Sequence, residues 1–332
     1  MQSKYTAVQE VETDLAGWFA EHQPHDEIRN LNMHMFVFND AMEPTLIRPE
    51  GEGLHLRTHA YNQLLTKVGI PRDFVSKFMD TGEQQVASNI MIRAINFMIQ
   101  NGKHKNGSLF RMMDGTEIRA IMSDRFEAYD NLQLVRDLIP FTEGAVVRWD
   151  HLDDETFHLS FTLPSTRTEV QVGDATEVGV HVSNSEIGLR SVTIAPYVYR
   201  LRCKNGLIGK SEDIYRFRHV GDGDRLGNLV RGAIHSTWQV ATGMVNKMKV
   251  AVNKVIDSPT DYLQSFAKRN DISVGEFQNM MYSLLTSGED NSNLLGITQS
   301  ISFTANRVEG EAAYRYQQYA SQLLNQGIES RV

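Results

Sequence analysis

Apolar residues recur at three- and four-residue spacing in the first 22 residues, at Val8, Val11, Leu15, Trp18 and Phe19. This spacing predicts an amphipathic helix, ended by Pro24. Residues 33–38, MHMFVF, predict a buried strand, and the Pro-, Gly- and Glu-rich stretch 41–53 predicts a loop. From Thr58 a helical face carries Tyr61, Leu64, Leu65 and Val68, and Gly69 and Pro71 interrupt it. A short helix continues through Phe74, Val75, Phe78 and Met79. Another is predicted over 84–100, with Val86, Ile90, Ile95 and Met98 buried.

From residue 109 the period shifts toward two. LFRMM, the turn Asp114-Gly115 and EIRAIMS predict a hairpin. After a helix over 129–139, strands are predicted at 145–150, 156–163, 168–172, 177–184 and 189–202, followed by a turn at Asn205-Gly206. A long helix, capped by Asp224, then runs for about 30 residues, roughly 45 Å, until Pro259. Residues 260–330 predict more helix. The expected class is α+β: a curved antiparallel sheet with helices packed on one side, one long helix after the last strand, and a helical C-terminal extension. The expected domains are an N-terminal helix-and-strand extension over 1–54, an α+β core over 55–256, and a helical region over 257–332.

Composition adds compartment and partner. The 332-residue chain has one cysteine, Cys203, so it predicts no internal disulfide framework and no Cys-based zinc site. The N-terminus has no apolar core behind a basic start, and no apolar run reaches the length of a membrane span. A reducing, cytoplasmic location is the expectation. The net charge of −8 is uneven. Residues 190–254 hold twelve Lys/Arg against four Asp/Glu, a balance of +8, and the other 267 residues hold 21 against 37, a balance of −16. An anionic partner is therefore not excluded, and the basic window says where it would bind.

Three groups of residues carry candidate chemistry. Alternation along 197–204 places Tyr199, Leu201 and Cys203 on one face and Arg200, Arg202 and Lys204 on the other. Three cations on one strand face repel one another unless an anion such as a phosphate backbone lies across them. The competing reading is that the acidic remainder supplies their partners. Tyr215-Arg216-Phe217-Arg218 interleaves aromatic and basic residues, as single-stranded nucleic acid binding requires: bases stack on rings while cations follow the phosphates. Tyr197 is a third candidate stacking platform. Here the competing reading is an ordinary strand with its aromatics in the core. The third group, Asp174, His181 and Glu186, offers ligands for a divalent cation, against a plain reading as turn residues. Nucleotide-binding loops, zinc-protease helices and esterase elbows are absent from the sequence, and no cofactor is expected.

Three blocks resemble a known family. They are Tyr61-Asn62-Gln63-Leu64-Leu65 through Gly69-Ile70-Pro71; Phe110-Arg111-Met112-Met113-Asp114-Gly115 with Arg119–Phe126 and Asp130-Asn131; and Gly173-Asp174, Gly179, Asn184–Gly188, Tyr199–Leu207 and Arg216–His219. Their order is similar to that of the phage- and plasmid-like proteins grouped as domain of unknown function 932, over about 55–325. Phe126 stands where the family commonly has Tyr. The resemblance implies a mobile-element setting and carries over no catalytic residues. The expected function is non-enzymatic binding of single-stranded DNA in replication or recombination, with strand annealing and a homo-oligomer in view. The contact residues would be Arg200, Arg202, Lys204, Tyr197, Tyr215, Arg216, Phe217 and Arg218. The alternatives are a metal-dependent nuclease or other phosphoryl-transfer enzyme using Asp174, His181 and Glu186, and a host-takeover protein that binds a bacterial protein.

Overall fold

A computed structural model describes residues 3–102, 107–221 and 223–329, apart from the side chains of residues 223 and 224. The chain divides into two compact units, one over residues 15–127 and one joining residues 1–14 to residues from 128 onward. Boundaries expected at 54 and 256 fall inside these units, because strands on either side of 54 share one sheet and the C-terminal helices share one core with the second sheet.

Helix α1 (Val8–His22) begins in the second unit and from Leu15 belongs to the first, where strands β1 (His25–Arg29), β2 (Met35–Phe38), β3 (Pro44–Ile47) and β4 (Gly53–Leu56) follow it. Helices α2 (Thr58–Val68), α3 (Arg72–Met79) and α4 (Gln84–Asn101) follow, then the hairpin β5 (Ser108–Met113) and β6 (Glu117–Ser123). The sheet order is β1-β5-β6-β4-β3-β2, and only β4 and β6 run parallel. Asp114 and Gly115 both take positive φ, the signature of a tight hairpin turn. The loop expected over 41–53 contains β3 and part of β4. Their apolar positions Leu46 and Leu54 are fully buried and join the core with Phe36, Leu64 and Ile95. Gly69, at φ 76°, ends α2 in a left-handed cap.

Helix α4 buries a different face from the one expected. Ala87, Met91, Ile95 and Ile99 are inside, whereas Val86 and Ile90 are 54% and 49% exposed. Asn96 on this helix closes the free edge of β2: its amide accepts from the Phe36 N–H and donates to the Phe36 carbonyl, both at 2.7 Å. The side chain thus stands in for a neighbouring strand. Asn96→Ala leaves both backbone groups unpaired and is expected to destabilise the first unit by about 1–3 kcal/mol, measurable by urea denaturation.

The second unit contains helix α5 (Asn131–Leu138), strands β7 (Val146–Leu152), β8 (Phe157–Thr162), β9 (Thr168–Gln171), β10 (Asp174–Asn184), β11 (Val192–Arg200), β12 (Asn205–Ile208) and β13 (Tyr215–Phe217), and then helices α6 (Gly223–Val252), α7 (Pro259–Arg269), α8 (Val274–Thr286), α9 (Leu294–Thr304) and α10 (Gly310–Glu329). The strands form one curled antiparallel sheet in the order β12-β11-β10-β8-β7, with β9 beside β10 and β13 beside β11. The long helix α6 supplies Ala241, Met244, Val245 and Met248 to the core shared with Tyr197, Leu295, Tyr314 and Leu324. The Asp224 side chain, expected as a cap, lies outside the described residues. No helix among the described residues is long and apolar enough to cross a membrane.

Strand β11 stops at Arg200. Residues 201–204 make the turn, with Lys204 at φ 51°, and Asn205-Gly206 opens β12 instead of turning. The alternation expected through Lys204 therefore ends at Arg200.

Register gives this sheet two unlike faces. Leu159, Phe161, Val180, Val182, Val192 and Ile194 occupy one. The other carries His158, Ser160, Thr162, Glu177, His181, Ser183, Thr193 and Tyr197, and all of them are buried. Such a polar face is stable only when its groups satisfy one another.

Candidate nucleic-acid interface and the buried polar face

Arg200 is 3% exposed. Its guanidinium donates to Asp174 Oδ1 and, at 2.6 Å, to Glu289 Oε1. Burial opposes its charge, but the bonds to Asp174 and Glu289 outweigh burial and raise its pKa. This corrects the assignment of Arg200 to a nucleic-acid surface: two carboxylates, one of them fully buried, already occupy it. Cys203 lies in the same cluster, its thiol donating to Glu289 Oε1 at 2.7 Å. Burial, then the bond to Glu289, pushes that thiol up to about 11, so it is not a nucleophile at neutral pH.

Tyr197 is also corrected. It is 1% exposed, its hydroxyl meets Ser160, and its ring lies against Gly206, where a Cβ would stand 2.2 Å away. It is a core residue and not a stacking platform.

The remaining candidates are at the surface in two places. Arg202 and Lys204 are exposed on the turn after β11. Tyr215, Arg216 and Arg218 are exposed around β13, and Phe217 is half-buried. Strand β13 pairs with the start of β11, Arg216 opposite Thr193. From Thr193 to Arg200 is seven residues, roughly 23 Å of strand, so the two basic clusters stand at opposite ends of β11. The Tyr215 and Phe217 rings stack with centroids 6.4 Å apart. Arg216 projects from the opposite face of the strand and donates to the Ser211 carbonyl at 3.0 Å. No carboxylate among the described residues forms an ion pair with Arg216 or Arg218.

Several other cations of the basic window are neutralised by carboxylates, most of them from distant segments. Arg190 pairs with Glu311, Arg231 with Asp137, and Lys210 with both Glu212 and Glu329. Much of the +8 therefore serves the fold.

Asp174, His181 and Glu186 do not converge. Asp174 and His181 are seven residues apart on one strand, roughly 23 Å, and on opposite faces. Asp174 holds Arg200, and Glu186 accepts from the Asn131 N–H at 2.8 Å. This set cannot share one ion, and no group of three or more potential ligands gathers among the described residues.

His181 instead belongs to a chain of polar contacts that the sequence did not reveal. Its Nδ1 is 2.8 Å from Ser160 Oγ and its Nε2 is 3.4 Å from His158 Nδ1. His158 Nε2 is 3.3 Å from Glu311 Oε2, close in distance but off the line of a full hydrogen bond. Glu311 also receives Arg190, whose guanidinium lies over the Tyr314 ring. Burial holds His158 down at about 4 against the pull of Glu311. Burial, then His158 and Arg190, lowers His181 as well. Both imidazoles are neutral at neutral pH. The chain surfaces at a cavity of about 490 Å³ lined by His151, Asp153, Glu155, Arg190, Glu309 and Glu311, among others. Alternating polar residues within strands buried on both faces, as in His158-Leu159-Ser160 and His181-Val182-Ser183, are the signal that could have found it.

No family model, curated protein or solved structure matches the chain.

Proposed function

We propose that this chain binds single-stranded nucleic acid through the β13 edge, without catalysing a reaction on it, in the setting of a phage or other mobile element. The observation that supports this reading is the exposed edge strand with a stacked aromatic pair on one face and arginines lacking carboxylate partners on the other. A strand running along that edge places bases on Tyr215 and Phe217 and phosphates against Arg216 and Arg218. Arg202 and Lys204 extend the contact toward the far end of β11. The mobile-element setting and the single-stranded DNA expectation rest on the resemblance to the domain of unknown function 932 family, and strand annealing by a homo-oligomer belongs to the same reading.

The experiment is fluorescence anisotropy with a labelled oligonucleotide across a salt series. Affinity is expected to fall as salt rises, with a slope of about −0.7 per phosphate contact. The double variant Arg216→Ala/Arg218→Ala flattens that slope, and Tyr215→Ala weakens binding by about 1–3 kcal/mol for each base it stacks. A salt-independent signal, or no binding at low salt, defeats the proposal.

A further inference from the structure

Helix α4 turns an unusual face to solvent. It has 18 residues and one charge, Arg93, in a chain that is 22% charged. Its outward positions Val86, Ile90 and Phe97 fall at spacings of four and seven, which puts them on one stripe about 17 Å long. Val86 and Ile90 are half-exposed, and Phe97 is 64% exposed. A helix face open to water ordinarily carries charged and polar residues, whereas this one presents large apolar side chains.

The apolar surface continues onto the segment beside the helix. Asn96 grips the Phe36 backbone, and Gln100 Nε2 donates to the Asn32 carbonyl at 3.0 Å. These two anchors run residues 32–36 along the C-terminal half of α4, where Met33 and Met35 are 61% and 54% exposed. Phe, Met and Arg are enriched in protein interfaces, and Lys, Glu and Asp are depleted there. Unbranched Met side chains also adapt to the contour of whatever covers them.

Arg93 sets the chemistry of the occupant. It follows Ile90 by three residues and precedes Phe97 by four, so it stands beside the stripe on the same side of the helix. It is exposed, and no carboxylate among the described residues pairs with it. Covering it demands a carboxylate from the occupant, because a charge taken out of water without a counter-charge is costly. A second copy of this chain fits poorly. Arg93 lies within two residues of the midpoint of the stripe, so a two-fold pair, parallel or antiparallel, would bring both copies of Arg93 within one helical turn of each other.

We infer that this face of the first unit docks an amphipathic helix of another protein, which lays an apolar stripe on Val86, Ile90 and Phe97 and brings a carboxylate to Arg93. Such helix recognition is read as anchors at three- and four-residue spacing, and the unpaired cation selects an acidic flank over a basic one. The inference stands apart from the nucleic-acid reading, whose contact residues all lie in the second unit.

The test uses the full chain and two helical peptides, each with Leu at i, i+4, i+7 and i+11. One carries Glu beside the Leu stripe and the other carries Lys. Calorimetric titration is expected to show the Glu peptide binding about tenfold more tightly than the Lys peptide. Phe97→Ala weakens that binding about tenfold, the effect of truncating a central anchor. Arg93→Glu reverses the preference between the peptides, a result that a misfolded variant could not give. Both variants keep the wild-type thermal midpoint and the wild-type response to oligonucleotides. Failure of both peptides to bind, equal affinity for the two, or a preference that survives Arg93→Glu overturns the inference. Self-association in sedimentation velocity that Phe97→Ala abolishes makes a second copy the occupant, and binding to phosphatidylglycerol vesicles that Phe97→Ala abolishes makes it a membrane. Either result overturns the assignment to a helix of another protein.

Discussion

Arg200→Ala is expected to destabilise the second unit by about 3–5 kcal/mol, the range for breaking a buried ion pair by removing one partner. The effect is large because of what stays behind. Asp174 is fully buried, and its Oδ2 already has no hydrogen-bond partner. Without the guanidinium, its Oδ1 loses its donor as well, and Glu289 loses its 2.6 Å contact. Two carboxylates then face a site shaped for a cation. Arg200→Lys is expected to recover only part of the loss, because a single ammonium cannot reproduce the fork that reaches Asp174 with Nε and Glu289 with a terminal nitrogen. The double variant Arg200→Met/Asp174→Leu is expected to be more stable than Arg200→Ala, since it removes the more deeply buried of the two stranded carboxylates along with its partner. Urea midpoints of the four proteins check the order. The same set separates a structural from a binding role. At low temperature, Arg200→Lys is expected to bind oligonucleotides with the wild-type salt slope. A reduced slope in that variant would return Arg200 to the interface.

Legibility of the fold followed locality. Strands β7 to β11 were visible because each alternates or is continuously apolar, and the long helix α6 was visible because its apolar stripe recurs from Leu226 to Ala251, interrupted only at Thr237. Strand β12 was hidden because Asn205-Gly206 is a strong turn signal, yet the four-residue turn before it had already reversed the chain. Helix α4 was placed correctly but rotated. Val86 and Ile90 are as apolar as Met91 and Ile95, so periodicity alone could not choose the stripe that faces the sheet. The candidate site is less legible than the fold, because a sequence orders charge along the chain while ion pairs form across it. Arg190 finds Glu311 and Arg231 finds Asp137, in both cases across long stretches of sequence. The linear +8 marked the right segment but could not tell Arg200, committed to the core, from Arg216 and Arg218, left at an edge. The relay through Ser160, His181, His158 and Glu311 draws on three separate segments: strand register joins β8 to β10, and the packing of helix α10 brings Glu311 to His158.

That relay makes the second unit sensitive to acid. Lowering the pH from about 6.5 to 4 is expected to remove about 3 kcal/mol of stability through His158 alone. The sign follows from where the proton binds. An unfolded chain protonates this imidazole near its ordinary value of 6.5, whereas burial delays protonation in the folded chain to about 4. Between these values the unfolded state carries the extra proton, so stability falls with pH; above 6.5 both states are neutral and the group contributes no slope. His181, also held below its ordinary value, adds to the loss with the same sign. Glu311 acts in that direction too. Burial would raise its pKa, but His158 and Arg190 bring it below its ordinary value, so its stabilisation is present above 4.5 and lost as pH falls through the folded value. The other groups facing His158 are His151, Arg190 and Tyr314, and the positive charge of Arg190 is one reason the folded imidazole resists a proton. Thermal midpoints recorded across this range should therefore decline steeply in the wild-type protein. His158→Gln removes the titrating ring, so its midpoint is expected to be lower at pH 7 but to change less between pH 6.5 and 4. A variant with the wild-type slope would place the acid sensitivity elsewhere, in carboxylates such as Glu177, which Arg167 and Arg148 hold below its usual value despite burial. Those titrate below 4.5, so the midpoint of the acid transition separates the two sources.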